Sequence, residues 1–97
     1  MVFNCMNKDV NQVIWHILSK LDRMGKIGGS HTEIINLEKG LPMHFRSSKQ
    51  GKKIIQKVIK EMIDREYLLQ KPSTGEIHIS LNPRKLNEIK EFVERYK

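Results

Sequence analysis

Apolar residues recur along the chain with a helical period in some segments and an alternating period in others. Over residues 7–24 they return every three to four positions, which is typical of an amphipathic helix, and Gly25 provides its stop. A turn or a short strand is predicted around Ile27. Residues 30–38 open with a serine followed three positions later by a glutamate, so we expect a capped second helix there. A connection over residues 41–48 follows it.

The next helix, predicted over residues 48–65, divides into two faces. Its apolar face carries four residues: Ile54, Ile55, Val58 and Met62. The opposite face carries Lys49, Lys52, Lys53, Gln56, Lys57 and Lys60. Gly51 is unfavourable inside a helix by about 1 kcal/mol relative to alanine. It is therefore either a weak point or the true start of the helix.

Two strands are predicted after this helix, over residues 67–70 and 76–81, and the turn residues between them complete a hairpin spanning 67–81. The second strand alternates and is expected to direct three apolar side chains to one face: Ile77, Ile79 and Leu81. An Asn-Pro pair is typical of a helix start, and residues 83–97 predict an amphipathic last helix. The pattern predicts a mainly α-helical protein with a small β-hairpin, folded as one domain over residues 1–97.

Composition narrows the class of protein. Hydrophobic residues make up 38% of the chain and charged residues 30%, as in globular domains. No run of more than three apolar residues occurs, so we expect no membrane span, and the start of the chain does not resemble a signal peptide. The single cysteine, Cys5, excludes an internal disulfide and favours a cytoplasmic protein.

Positive charge is concentrated in one short segment. The net charge is +7, and residues 46–60 contain six cations and no acid. These cations are Arg46, Lys49, Lys52, Lys53, Lys57 and Lys60. The remainder of the chain is close to neutral, with twelve cations against eleven acids. A solvated helix face usually mixes both signs, so a purely cationic face favours a polyanionic partner, nucleic acid first.

The order of predicted elements resembles a winged helix-turn-helix domain, and the resemblance covers nearly the whole chain. Ser30–Leu37 would be the helix before the turn, Ser48–Asp64 the recognition helix and Tyr67–Leu81 the wing. Lys60–Leu69 and Ile79–Pro83 are similar to the entry to and the exit from the wing in MarR-like and related prokaryotic regulators. The connection between the second and third helices is longer than is usual in that group. The resemblance implies a DNA-binding transcriptional regulator.

A recognition helix docked in a major groove must pack with one face and present donors on the other. Gln56 is our first candidate for a residue that contacts a base, followed by Gln50, Lys52 and Lys53. The complete predicted DNA-binding set is Arg46, Ser47, Ser48, Lys49, Gln50, Lys52, Lys53, Gln56, Lys57, Lys60, Lys71 and Arg84. The alternative hypothesis is a winged-helix module that binds a protein or RNA without recognising an operator.

Large apolar residues on the first and last helices suggest a homodimer. Trp15 falls off the apolar stripe of the first helix, where it is either covered by Val2 and Phe3 or placed at a dimer interface. Phe92 and Tyr96 flank the stripe of the last helix. The predicted interface is formed by Trp15, Leu86, Ile89, Phe92, Val93 and Tyr96.

Motifs for catalysis or metal binding are not found in the sequence. The four histidines lie on different predicted elements, without the spacing of a metal site, and Cys5 has no histidine partner. Gly25, Gly28 and Gly29 do not match a phosphate-binding loop. We therefore expect no enzyme activity, no cofactor, no metal and no small-molecule substrate.

Overall fold

Five α-helices and a three-stranded antiparallel sheet make up the protein in a computed structural model, which describes residues 8–73 and 75–96. The elements in chain order are α1 (Lys8–Met24), β1 (Thr32–Glu33), α2 (Ile34–Glu38), α3 (Met43–Ser47), α4 (Lys49–Asp64), β2 (Leu68–Ser73), β3 (Glu76–Leu81), a 3₁₀ turn (Pro83–Lys85) and α5 (Leu86–Arg95). The prediction of a mainly helical protein with a small β component is confirmed.

The first helix supplies the centre of the core. Its fully buried apolar residues are Val13, Ile14, Ile17, Leu18 and Leu21. Gly25 adopts a φ of 69°, which is a left-handed conformation that favours glycine, and its amide donates to Asp22 O at 3.1 Å. The Lys26 amide donates to Leu21 O at 3.0 Å, so the helix ends in a Schellman motif, as the glycine predicted.

The segment predicted as the second helix begins differently. Thr32 and Glu33 form a strand that pairs with Ile79 and His78 of β3, and the helix starts only at Ile34. The Glu33 side chain makes no capping hydrogen bond, so the prediction of a capping box was wrong. Pairing with β3 supplies the backbone partners that a local cap would otherwise have provided.

The predicted connection over residues 41–48 contains the short helix α3, with Phe45 buried in the core. Gly51 explains how closely α3 and α4 approach. A Cβ atom at Gly51 would lie 2.6 Å from Phe45 Cα, a separation that side chains do not adopt. Gly51 is therefore the third residue of α4 and not its start; Ser48 is the N-cap, and its hydroxyl accepts from the Gly51 amide at 2.9 Å.

The sheet has the strand order β1-β3-β2, and β2 and β3 form the predicted hairpin. Ile79 and Leu81 are fully buried, but Ile77 is 45% exposed because the strand extends beyond the core at that end. On the opposite face Ser80 is buried and donates to Gly28 O at 2.8 Å. Ile27 forms a single parallel bridge to Leu81, which agrees with the short strand predicted there.

Asn82 joins the end of α4 to the start of the last helix. Its Oδ1 accepts from the Arg84 amide at 3.1 Å and caps the 3₁₀ turn Pro83–Lys85, so a helical segment does begin at the Asn-Pro pair. The α-helix itself begins at Leu86, three residues later than predicted. Asn82 Nδ2 donates to Glu66 O at 2.8 Å, and Glu66 has a φ of 65° that is uncommon for a non-glycine residue. The Asn82 side chain therefore stabilises the strained turn after α4 as well as capping the 3₁₀ turn.

The aromatic residues of α1 and α5 lie closer to the core than predicted. Phe92 is 5% exposed and Ile89 is fully buried, so placing them on an outer surface was wrong. Trp15 is half-buried, and its indole Nε1 donates to Val93 O at 3.0 Å. Tyr96 is 48% exposed. Val2 and Phe3, the predicted cover for Trp15, lie outside the described residues.

Candidate nucleic-acid interface

The two faces of α4 differ sharply in burial and in charge. Ile55, Val58, Ile59 and Met62 pack into the core, and this packing fixes the rotation of the helix. The residues on the opposite face are all exposed: Lys49, Gln50, Lys52, Lys53, Gln56, Lys57 and Lys60. Burial of the apolar side thus turns the predicted cationic face toward solvent.

Negative charge on α4 is confined to its C-terminal end. Glu61 forms an ion pair with Arg65, whose Nε lies 2.6 Å from Glu61 Oε1. Asp64, the last residue of α4, is exposed. Within residues 8–73 and 75–96, none of the six cations between Arg46 and Lys60 forms an ion pair. The cationic face therefore keeps its full charge toward a ligand.

A shallow groove brings together residues from three helices. Arg46 of α3 lines it with Lys52 and Gln56 of α4. Lys39, which follows α2, also lines the groove, and sequence reasoning missed it because Lys39 is distant from the cationic segment. The exposed side chain of Ile35 contributes an apolar wall. The groove thus places the main candidate for base recognition, Gln56, beside three cations and one acid, Glu38.

A second group of candidates lies on the neighbouring part of the same helix. Lys49, Gln50, Lys53 and Lys57 surround a shallow depression whose floor includes Ile54. Lys60 continues the exposed face by nearly one further turn. The candidate DNA-binding residues of α4 therefore form two adjoining groups: one lines the groove shared with α3, and the other lies on α4 alone.

The two serines predicted to bind phosphate already have hydrogen-bond acceptors. Ser47 Oγ donates to Met43 O at 2.9 Å, and Ser48 Oγ donates to His44 O at 3.1 Å. Each hydroxyl has one proton to donate, so neither serine donates to a phosphate in this conformation. Their role in the structure is to close α3 and to cap α4.

Lys71 and Arg84 are exposed but do not share a groove with the α4 cations. Lys71 lies on β2, paired across the strand with His78. Arg84 lies in the 3₁₀ turn, in a groove that includes Ile63 and Glu66 from the end of α4 and the turn after it. A ligand bound by the lysine face reaches them only if it extends beyond α4.

Two histidines have a lowered pKa in the folded protein. Burial, and then the nearby charges of Arg23 and Lys20, lower the pKa of His16 below its ordinary value. Burial, followed by His78 and two lysines, lowers the pKa of His31 as well. The cluster of His31, His78, Glu33 and Glu76 could not be predicted from sequence spacing because strand pairing creates it.

Comparisons with known protein families, with curated proteins and with solved structures gave no match to this chain. Among the described residues, no helix is long and apolar enough to cross a membrane. Cys5 lies outside the described residues.

Proposed function

We propose that this protein is a winged-helix transcriptional regulator that binds double-stranded DNA, with α4 as its recognition helix. The observation that carries the proposal is the exposed face of α4, which from Lys49 to Lys60 holds five lysines and two glutamines and no acid. Asp64, the last residue of the helix, adds one acid at the end of this face. The sheet order β1-β3-β2 and the hairpin that follows α4 support it, since a winged helix places its wing directly after the recognition helix.

The proposed division of labour follows from side-chain chemistry. Lysines are flexible point charges that neutralise phosphates irrespective of sequence. Gln56 can donate to and accept from adenine in the major groove, which gives it the role of reading a base. Arg46, across the groove from α4, can make bidentate contacts with a phosphate or with guanine.

In this proposal α2 and α4 are the two helices of the helix-turn-helix, and the short helix α3 lies in the connection between them. Only Ser48 separates α3 from α4, and Gly51 permits their close contact. The short helix α3 thereby takes the place of the long connection expected from the sequence, and it positions Arg46 at the edge of the lysine face.

The test is a mobility-shift or anisotropy titration with duplex DNA and, in parallel, with RNA hairpins and an acidic peptide. Lys53→Ala and Lys57→Ala are each expected to weaken binding to every duplex sequence. Lys90→Ala, an exposed lysine on α5, removes the same charge and serves as the matched control with little effect. Tighter binding to RNA or to the peptide than to duplex DNA would contradict the proposal.

Salt dependence gives a second measure of the same contacts. If about five of the six cations neutralise phosphates, the slope of log K against log salt is about −4.5. Affinity then falls roughly 500-fold between 50 and 200 mM salt. An affinity that is nearly independent of salt would refute a polyanion as the ligand.

A further inference from the structure

Four side chains with metal-binding chemistry meet on one face of the sheet. His78 occupies the central strand β3, and Glu33 of β1 is its direct cross-strand partner. Glu76 lies two residues before His78, so its side chain projects from the same face. His31 precedes β1 by one residue and reaches His78 with its ring. The pairing of residues more than forty positions apart therefore assembles the cluster.

Distances within the cluster fit a small cation. Ligand atoms of Glu33, Glu76 and His78 all lie within 4.8 Å of one another. His78 Nε2 lies 3.5 Å from Glu76 Oε2. Two ligands of a tetrahedral Zn²⁺ at about 2.1 Å from the metal are separated by roughly 3.4 Å, so this pair already has the required spacing. The third ligand atom, from the Glu33 carboxylate, lies within 4.8 Å of the other two.

His31 provides an observation independent of the carboxylates. Its Nδ1 lies 2.7 Å from Nδ1 of His78, and the two rings are edge to face with centroids 4.7 Å apart. A hydrogen bond between the two Nδ1 atoms leaves Nε2 of His78 facing Glu76. When His78 donates from Nδ1, its Nε2 carries a lone pair directed at the cluster, which is how second-sphere partners orient metal-bound histidines.

We propose that His78, Glu76 and Glu33 form a binding site for a divalent transition-metal ion of the zinc class, with His31 as the residue that orients His78. The three ligands leave at least one coordination position for water or for an external ligand. This proposal does not depend on nucleic-acid binding.

The donor set indicates which ions bind. An imidazole nitrogen favours Zn²⁺, Ni²⁺ or Cu²⁺ over Mg²⁺ and Ca²⁺, which prefer oxygen ligands alone. Lys71 is the partner of His78 on the other neighbouring strand and places a positive charge on the same face. Its long flexible stem allows the ammonium group to move away when a cation binds.

The experiment is a Zn²⁺ titration of the full chain by calorimetry after removal of metals with a chelator, in a Cys5→Ser background that eliminates the thiol. One Zn²⁺ per chain is expected, and Co²⁺ in the same site is expected to give a visible absorption band. Excess Mg²⁺ is expected not to displace Zn²⁺.

Variants assign the ligands. Glu76→Gln and Glu33→Gln are each expected to weaken Zn²⁺ binding by at least tenfold, and His78→Gln by more. His31→Gln is expected to weaken it by about 10–100-fold, since an orienting partner is lost. His44→Gln and Glu91→Gln, which alter exposed residues elsewhere, are the matched controls and are expected to change the affinity less than twofold.

Circular dichroism checks that each variant folds. Glu76 is exposed, so Glu76→Gln gives a decisive result even if His78→Gln does not fold. The proposal is overturned if Zn²⁺ does not bind at millimolar concentration, or if Glu76→Gln and Glu33→Gln bind it as tightly as the parent chain.

Discussion

Substitution of Gly51 by alanine is the sharpest test of how α3 and α4 are packed. Alanine is favoured over glycine inside a helix by about 1 kcal/mol, so sequence reasoning alone predicts that Gly51→Ala stabilises the protein. The structure predicts the opposite. The new Cβ would lie 2.6 Å from Phe45 Cα and 2.7 Å from Phe45 C, about 1 Å closer than an ordinary contact.

The magnitude follows from what would have to move. Both close atoms belong to the backbone of α3, and the Phe45 side chain is anchored in the core at 2% exposure, so rotation of a side chain cannot relieve the overlap. Overpacking of this kind typically costs about 1–3 kcal/mol or more. Because the overlap is with backbone atoms, we take the upper part of that range, about 2–3 kcal/mol, and subtract the gain of about 1 kcal/mol in helix propensity. We therefore expect Gly51→Ala to lower the free energy of unfolding by about 1–2 kcal/mol. The melting temperature is then expected to fall by roughly 5–15 °C.

Urea denaturation monitored by circular dichroism measures the change, and Gly29→Ala is the matched control. Gly29 has open space around its Cβ position and no left-handed backbone, so alanine there is expected to be neutral or slightly stabilising. Refutation would be a Gly51→Ala protein as stable as the parent chain, since the two helices would then not be in the contact described.

Three further predictions concern recognition, pH and association. Gln56→Ala is expected to reduce the preference for one base position by about 1–3 kcal/mol while leaving non-specific affinity nearly unchanged; equal losses in a binding-site selection assay would remove Gln56 as a reader. Because the pKa of His16 is lower in the folded chain than its ordinary value of 6.5, the unfolded chain binds more protons. The contribution of neutral His16 to the free energy of unfolding should therefore be fully present above pH 6.5 and fall as the pH drops below it. Urea titrations at pH 8 and pH 5.5 should show a smaller difference in the free energy of unfolding for His16→Gln than for the parent chain; a parent chain that is more stable at pH 5.5 than at pH 8 would contradict this. If the chain forms the predicted homodimer, sedimentation equilibrium at micromolar concentration should give twice 11.4 kDa, and Tyr96→Ser should dissociate it without disturbing the hydrogen bond between Trp15 and Val93; a monomer would end the dimer hypothesis.

Local sequence was sufficient to predict the elements whose own residues form the buried apolar face or mark where a helix begins or ends. The apolar stripe of α1 with Gly25 at its end, the two faces of α4 and the helical turn that begins at Asn82-Pro83 were all predicted for this reason. The exposed lysine face of α4 follows from the same periodicity.

Contacts between distant segments could not be predicted. Thr32 and Glu33 become a strand only because β3 offers open backbone groups, and a serine-to-glutamate spacing suggested a helix cap instead. The short helix α3 is stabilised by burial of Phe45, which requires the core formed by the other elements. The cluster around His78 is likewise a product of strand register, which no spacing within the sequence reveals.

The hydrogen bond from Trp15 to Val93 spans 78 residues and has a consequence for the order of folding. It ties α1, the first described helix, to α5, the last one, and the core residues of α1 are covered in part by Ile89 and Phe92. Contacts of such long sequence separation form late, because the intervening chain must be ordered first. During synthesis, α1 therefore remains without part of its packing until α5 has left the ribosome.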